Sequence, residues 1–255
     1  MTEDRVALVT GVSRRVGIGA AIARRFAADG YRLLLTGLPA YDDAQPYGGD
    51  PDGVPGLLAE LDTPVAYVTA DLTEPGAPER VVQAAVDRFG ALDMLVANHT
   101  YSTQTVLGSL DATEIDRHLL VNLRATMLLV QAYAGVYDKA RGNGRVVLFS
   151  SGQRLAPMPG ELAYAASKAG VENLTVNLSF LLAPSGVTVN CVNPGPTDTG
   201  WLAPEQAVRL RGRFPAGRVG TPEDAARLVG WLCSADAAWI TGQVIDSEGG
   251  FERWG

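Results

Sequence analysis

The chain has 255 residues, 47% of them apolar and 19% charged, with a net charge of −7. That balance describes a folded protein with a large buried core and excludes a disordered chain. The negative charge also argues against nucleic acid as a partner and against attraction to an anionic membrane surface. Two cysteines, Cys191 and Cys233, each sit in an apolar segment and read as buried reduced thiols. His99 and His118 have no neighbours at metal-ligand spacing, so no metal is expected. A strand begins almost at once, so no targeting leader is expected. No apolar run approaches the roughly 20 residues needed to cross a bilayer. A cytoplasmic protein is the resulting expectation.

The first predicted strand, "RVALVTG" (5–11), runs through a glycine-studded turn into the helical pattern "GAAIARRFAADG". The stretch "VSRRV" separates Gly11 from Gly17, Ile18 and Gly19 and places Arg14 and Arg15 inside the turn. A turn between strand and helix can cradle a pyrophosphate on backbone N–H groups, although alone it is a weak signal. The two arginines read either as a solvated turn or as phosphate ligands. The second strand (31–37) ends on Gly37. The following stretch, 37–56, is rich in Pro, Gly and Asp and reads as a long surface loop, a kind that is uncommon and often functional.

Further strands are predicted over 65–71, 93–99, 145–151, 187–195 and 242–250. Most are apolar without alternation, as parallel strands buried on both faces should be. Helical periodicity fills the intervals, at greatest length over roughly 111–138 and 163–183. The alternation predicts an α/β fold: a single-domain, Rossmann-type, doubly wound parallel sheet of about seven strands with helices on both faces. It would cover 1–255 without a linker, with a cofactor half (1–145) and a catalytic and substrate-lid half (146–255).

Such sheets bind ligands beyond the carboxyl ends of their strands. The polar residues at those ends are Thr10 to Ser13, Asp71, Asn98 to Thr100, Ser150, Ser151 and Asn193 to Thr199. Tyr164 and Lys168, four apart on a predicted helix, share one face. Alone, this spacing is common and describes a surface pair. Here Ser151 ends the preceding strand and "CVNPGPTDT" ends the next, so all converge on one cleft.

With these motifs in this order, the chain resembles a short-chain dehydrogenase/reductase. The likeness runs through the glycine turn, "AD" (70–71), "DMLVAN" (93–98), "VN" (121–122), Ser151, Tyr164 and Lys168, "NPG" (193–195) and "ITGQVIDSEGG" (240–250). Within the family it looks like a 3-oxoacyl-thioester reductase with a lengthened cofactor turn. The chemistry suits the residue types. A free tyrosine titrates near pH 10, about three units too high for acid–base work near neutrality. A cationic Lys168 one turn away, with the charge of an oxidised nicotinamide ring, is expected to lower Tyr164. Ser151 can donate a hydrogen bond to the substrate oxygen.

The resemblance implies further roles. Lys168 would bind the nicotinamide ribose hydroxyls, and Asn122 would hold a water that links Lys168 to solvent; read by itself, Asn122 is a satisfied core amide. Asp71 would contact the adenine amino group beside the Leu72 backbone, or else cap the next element. Asn98 matches the family's Asn-Asn-Ala-Gly segment, in which His99 and Thr100 replace Ala and Gly. His99 reads as a second acid–base group or as a packing and cofactor-wall residue, and His118, on the outer part of a helix, as structural. Ser13, Ile18, Pro194, Gly195, Thr197 and Thr199 complete the expected cofactor contacts.

Family members that use NAD usually carry an acid at the end of the second strand, where this chain has Gly37 and then Leu38. With Arg14 and Arg15 nearby, NADP(H) is the expected cofactor. Asp42, Asp43, Asp50 and Asp52 would reverse that choice if one folded back onto the ribose. Residues 201–217 should form a mobile substrate lid, with Trp201, Leu202 and Phe214 beside Arg209, Arg211 and Arg213. The arginines suit either an anionic acyl carrier or a solvated helix face.

The reading is an NADP(H)-dependent reductase of a small-molecule carbonyl, with a 3-oxoacyl thioester as its specific form. The alternatives are a ketoreductase or alcohol dehydrogenase acting on a sugar, polyketide or cyclic alcohol, and a non-catalytic dinucleotide sensor. The complete set of Asn122, Ser151, Tyr164 and Lys168 opposes the sensor, and the Tyr–Lys spacing opposes an enoyl-thioester reductase. A homo-oligomer is expected through the two long helices, as a tetramer rather than a dimer.

Overall fold

Seven short apolar runs pair as parallel strands: β1 (Val6–Thr10), β2 (Arg32–Gly37), β3 (Val65–Thr69), β4 (Met94–Ala97), β5 (Gly144–Phe149), β6 (Val187–Asn193) and β7 (Val244–Asp246). The computed structural model describes residues 5–254. Residues 1–4 and 255, the ends of the expected 1–255 span, lie outside the described residues. The sheet order is β3-β2-β1-β4-β5-β6-β7. The chain therefore builds outward from β1 on one side, then crosses over to β4 on the other. Val9 lies opposite Leu35 on β2 and Val96 on β4, which fixes the register at this crossover. A ligand crevice belongs at that point.

The helices are α1 (Ile18–Ala28), α2 (Pro39–Asp43), α3 (Gly53–Glu60), α4 (Ala77–Phe89), α5 (Ala112–His118), α6 (Ala125–Val136), α7 (Leu162–Leu182), α8 (Pro204–Arg211) and α9 (Pro222–Cys233). One core layer packs Ile22 and Phe26 of α1 and Val229 and Leu232 of α9 against Val9, Leu35 and Val147. The other packs Val82 of α4, Leu129 of α6 and Val171 of α7 against Leu8, Leu95 and Leu148. Neighbouring strand residues such as Leu8 and Val9 thus enter opposite layers. This explains strands that are apolar at every position.

Three expectations need correction. The segment 37–56 is not one irregular loop, because Pro39 starts α2 with its φ already fixed for a helix and α3 begins at Gly53. The predicted helix over 111–138 is interrupted by a π-helical turn, Leu119–Arg124, between α5 and α6. The continuous helical run Ala112–Val136 is also long and apolar enough, by length and composition, to span a bilayer. Its apolar residues Leu129, Val130 and Tyr133 are fully buried in the sheet's core layer. Several strands end sooner at their carboxyl ends than predicted, as β3 does at Thr69 and β4 at Ala97. The residues beyond those ends form the site.

Candidate active site

The turn after β1 is shaped by two close approaches. Gly11 has φ +70°, and a Cβ there would lie 2.8 Å from the His99 backbone. A Cβ on Gly19 would lie 2.7 Å from the Gly11 carbonyl oxygen. Asn98 fixes the turn from β4, its Nδ2 donating to the carbonyls of Thr10 and Gly11, each at 3.1 Å. Gly17 begins α1 without a side-chain cap, which leaves first-turn N–H groups for an anion. A cavity of about 270 Å³ opens here. Its lining includes Gly11, Ser13, Arg14, Gly17, Ile18 and Gly37, together with Asp71, Leu72, Asn98, His99, Thr100 and Thr199. A glycine cradle under a bare helix N-terminus fits a dinucleotide pyrophosphate. Gly19 packs behind the cradle, and Arg15 does not reach the cavity.

The acidic stretch folds onto the turn. Arg15 is held by Asp50, which takes its backbone N–H (2.9 Å) and its guanidinium (3.1 Å), and by Asp52 at 3.0 Å. The expectation that Arg15 binds phosphate is corrected accordingly: it fastens the loop. Arg14 stays in the cavity, with Nε 3.3 Å from Asp42, a hydrogen bond to the Thr199 carbonyl, and its guanidinium 4.2 Å above the Tyr47 ring. Gly37 has a steric origin, since a Cβ would meet the Val12 carbonyl oxygen at 2.4 Å and Ser13 Oγ at 2.6 Å. Asp42 on α2 brings a carboxylate into the same cavity, against Arg14.

His99 is buried between β1 and the π turn. Its Nε2 faces the Val121 carbonyl at 3.1 Å, so Nε2 carries the proton and Nδ1 accepts from the Thr10 hydroxyl at 2.7 Å. Burial, followed by the nearby charge of Lys168, pulls its pKa down to about 3. Of its two readings, this geometry favours the wall residue. Asp71 accepts from the backbone and hydroxyl of Thr73 at 2.8 and 2.7 Å, capping the turn while it lines the cavity.

Tyr164 and Lys168 lie on α7, with Lys168 Nζ 5.6 Å from the Tyr164 ring centre. Lys168 is buried, donates to the Phe149 carbonyl at 3.0 Å, and is pulled down to about 8 by desolvation. Burial pushes Tyr164 up to about 12, while the Ser151 and Thr100 hydroxyls facing it pull the other way. The ammonium is turned toward the end of β5, and the protein alone favours the neutral phenol.

Asn122 occupies the π turn. Its Oδ1 accepts from the Tyr101 N–H at 2.7 Å and from Thr100 at 3.2 Å, and its Nδ2 donates to the Tyr101 carbonyl and to Ser167, both at 2.9 Å. The side-chain amide is committed to protein partners, so a water held at Asn122 would have to bond its backbone carbonyl, which accepts from the Thr126 hydroxyl at 2.8 Å. The amide fixes the loop that carries Thr100. Pro194 and Gly195 follow β6 outside the cavity wall. Thr197 is buried, with its hydroxyl turned to the Pro194 and Gly195 carbonyls at 3.3 and 3.2 Å.

Sequence reasoning missed Tyr41, Tyr47 and Tyr101, all of which line the cavity. The first two were visible as isolated aromatics in an otherwise polar loop. It also misplaced His118, which is fully buried rather than outward, its ring 4.8 Å from Tyr101 and 6.5 Å from Tyr164. The pattern did not reveal this because the π turn rotates the helix at that point. Among the described residues, no group of three His, Cys, Asp or Glu side chains is placed to hold a metal.

A pyrophosphate cradle at the crossover of a doubly wound sheet, with a serine-facing tyrosine and a buried lysine beside it, defines an oxidoreductase that works with a nicotinamide dinucleotide. The comparisons agree. A family model described as Enoyl-(Acyl carrier protein) reductase matches residues 11–252. An uncharacterized oxidoreductase, YjdA, of Bacillus subtilis (strain 168) is 38% identical over 99% of this chain and 98% of its own. A protein of Arabidopsis thaliana named NADPH-dependent aldehyde reductase-like protein, chloroplastic, is 33% identical over 97% of this chain and 94% of its own. The structure of a short-chain dehydrogenase/reductase from Serratia marcescens superposes with a TM-score of 0.84 at 32% identity, covering 98% of this chain and 99% of that one. The chain belongs to the short-chain dehydrogenase/reductase family.

Proposed function

We propose that the protein interconverts a small-molecule carbonyl and a secondary alcohol with NADP(H), using Tyr164 as the proton donor and acceptor. The observation that carries this reading is the meeting of Tyr164, Ser151 and Thr100 one helical turn from buried Lys168. When bound, the dinucleotide supplies or accepts the hydride. Tyr164 gives its proton to the developing alkoxide, a role that suits a phenol kept neutral by burial. Ser151 donates a hydrogen bond to the same oxygen, stabilising charge as it forms. Lys168 holds the nicotinamide ribose, and Asn122 acts by fixing Thr100 and Tyr101.

Arg14 is the residue we assign to the 2′-phosphate, because it faces the cavity beside Gly37 while Arg15 does not. The NADPH in the name of the Arabidopsis relative supports this choice. A 3-oxoacyl thioester is the specific substrate we favour, since Arg209 and Arg211 on α8 are exposed at the lid and make no ion pair among the described residues. A cyclic or polyketide ketone is the alternative. The buried thiols of Cys191 and Cys233, which form no disulfide, support a reducing compartment, and we place the protein in the cytoplasm on that ground. NADPH oxidation with a panel of 3-oxoacyl thioesters, cyclic ketones and aldehydes tests the proposal. Turnover with a member of the panel is expected, whereas tight NADPH binding without turnover on any would favour the sensor.

A further inference from the structure

Three donors converge beside Gly37: Arg14 Nε, 3.3 Å from Asp42 Oδ1; the Tyr47 hydroxyl, 3.4 Å from the same oxygen; and the Ser13 hydroxyl, which faces the same carboxylate. All of them line the cavity. A guanidinium and two hydroxyls form a seat for an anion, and the anion held there is the chain's own. Arg14 and Asp42 are both largely buried, with side-chain exposures of 10% and 15%. The carboxylate is delivered by α2, whose neighbouring Tyr41 packs on Tyr101 at 5.7 Å across the mouth of the cavity. Burial pushes the Asp42 carboxyl up despite Arg14, so the carboxylate sits in this seat at a desolvation cost that its release would relieve.

We propose that Asp42 is an internal stand-in for the 2′-phosphate: NADPH binds by displacing its carboxylate from Arg14, Ser13 and Tyr47, whereas NADH binds with the carboxylate in place. This rests on the assignment of Arg14 to the 2′-phosphate. The consequence is that Asp42 sets the preference between the two cofactors by competition within the site. It would also give NADPH a second step, movement of α2, that NADH lacks.

The test is binding measured by protein fluorescence, using NADPH and NADH together with adenosine 2′,5′-bisphosphate and AMP as probes of this end of the cavity. Asp42→Asn is expected to tighten NADPH and the bisphosphate about tenfold or more and to leave AMP within about twofold. Asp43→Asn removes the same charge from the same helix but does not line the cavity, and should tighten neither. Unchanged or weaker NADPH binding in Asp42→Asn would overturn the proposal, as would equal tightening in Asp43→Asn, which would reveal a general charge effect. Selective loss of NADH in Asp42→Asn would also overturn it and make Asp42 a ribose ligand. Arg14→Ala keeps the two readings apart. If it weakens NADPH and NADH equally, the 2′-phosphate assignment itself fails; if the loss is selective for NADPH and Asp42→Asn is silent, only the displacement fails.

Discussion

Lys168 and His99 are buried and Tyr164 is half-buried beside Lys168, and desolvation acts on each according to its charge. It favours the neutral phenol, draws the ammonium down to about 8 and keeps the imidazole neutral down to about 3. The histidine has a consequence for stability. Its folded pKa lies below the ordinary 6.5, so the unfolded chain takes up a proton first as pH falls. Stability from this residue is therefore complete above 6.5 and is lost as pH falls from 6.5 toward about 3, by up to a few kcal/mol. Urea midpoints measured across this window should fall less steeply in His99→Gln than in the wild type. Parallel slopes would mean that His99 is not held neutral. The sequence favoured a packing or wall residue only because Tyr164 already supplies the proton; the depth of the burial and the Thr10 and Val121 partners depend on tertiary placement.

At the scale of elements, the glycine turn and α2 behave as one unit. Gly37 has no room for a Cβ, so Gly37→Ala should overpack the turn and cost about 1–3 kcal/mol. For a chain of this size that is a fall of several degrees in Tm, measurable by calorimetry. An unchanged Tm would show that the turn can shift away from β2. The strands, the helices on both sides and the convergence of Ser151, Tyr164 and Lys168 were legible because they follow periodicity and the rule that sites lie at strand ends. The stretch 37–56 was not. Its composition announced a functional loop, but the partners of Asp42, Asp50 and Asp52 depend on tertiary placement, and the same arginines and aspartates permitted either cofactor. Asn122 was legible as a site residue but not in its bonding, which the π turn sets.

For the whole molecule, the apolar faces that sheet packing leaves over point to assembly. Phe180 is 82% exposed on α7, beside exposed Val176 and Leu181, and Met127 of α6 is exposed as well. Burying such a face against a second copy removes apolar surface from water. Phe180→Glu with Leu181→Glu should therefore lower the mass seen by light scattering while circular dichroism keeps its helical signal. A mass equal to that of the wild type would remove these helices from the interface. The account as a whole depends on Tyr164 moving the proton, and Tyr164→Phe tests it most directly through turnover and NADPH affinity measured side by side. Removing a general acid should lower kcat by about 10²–10⁴-fold with NADPH affinity nearly unchanged; turnover close to that of the wild type would contradict the mechanism.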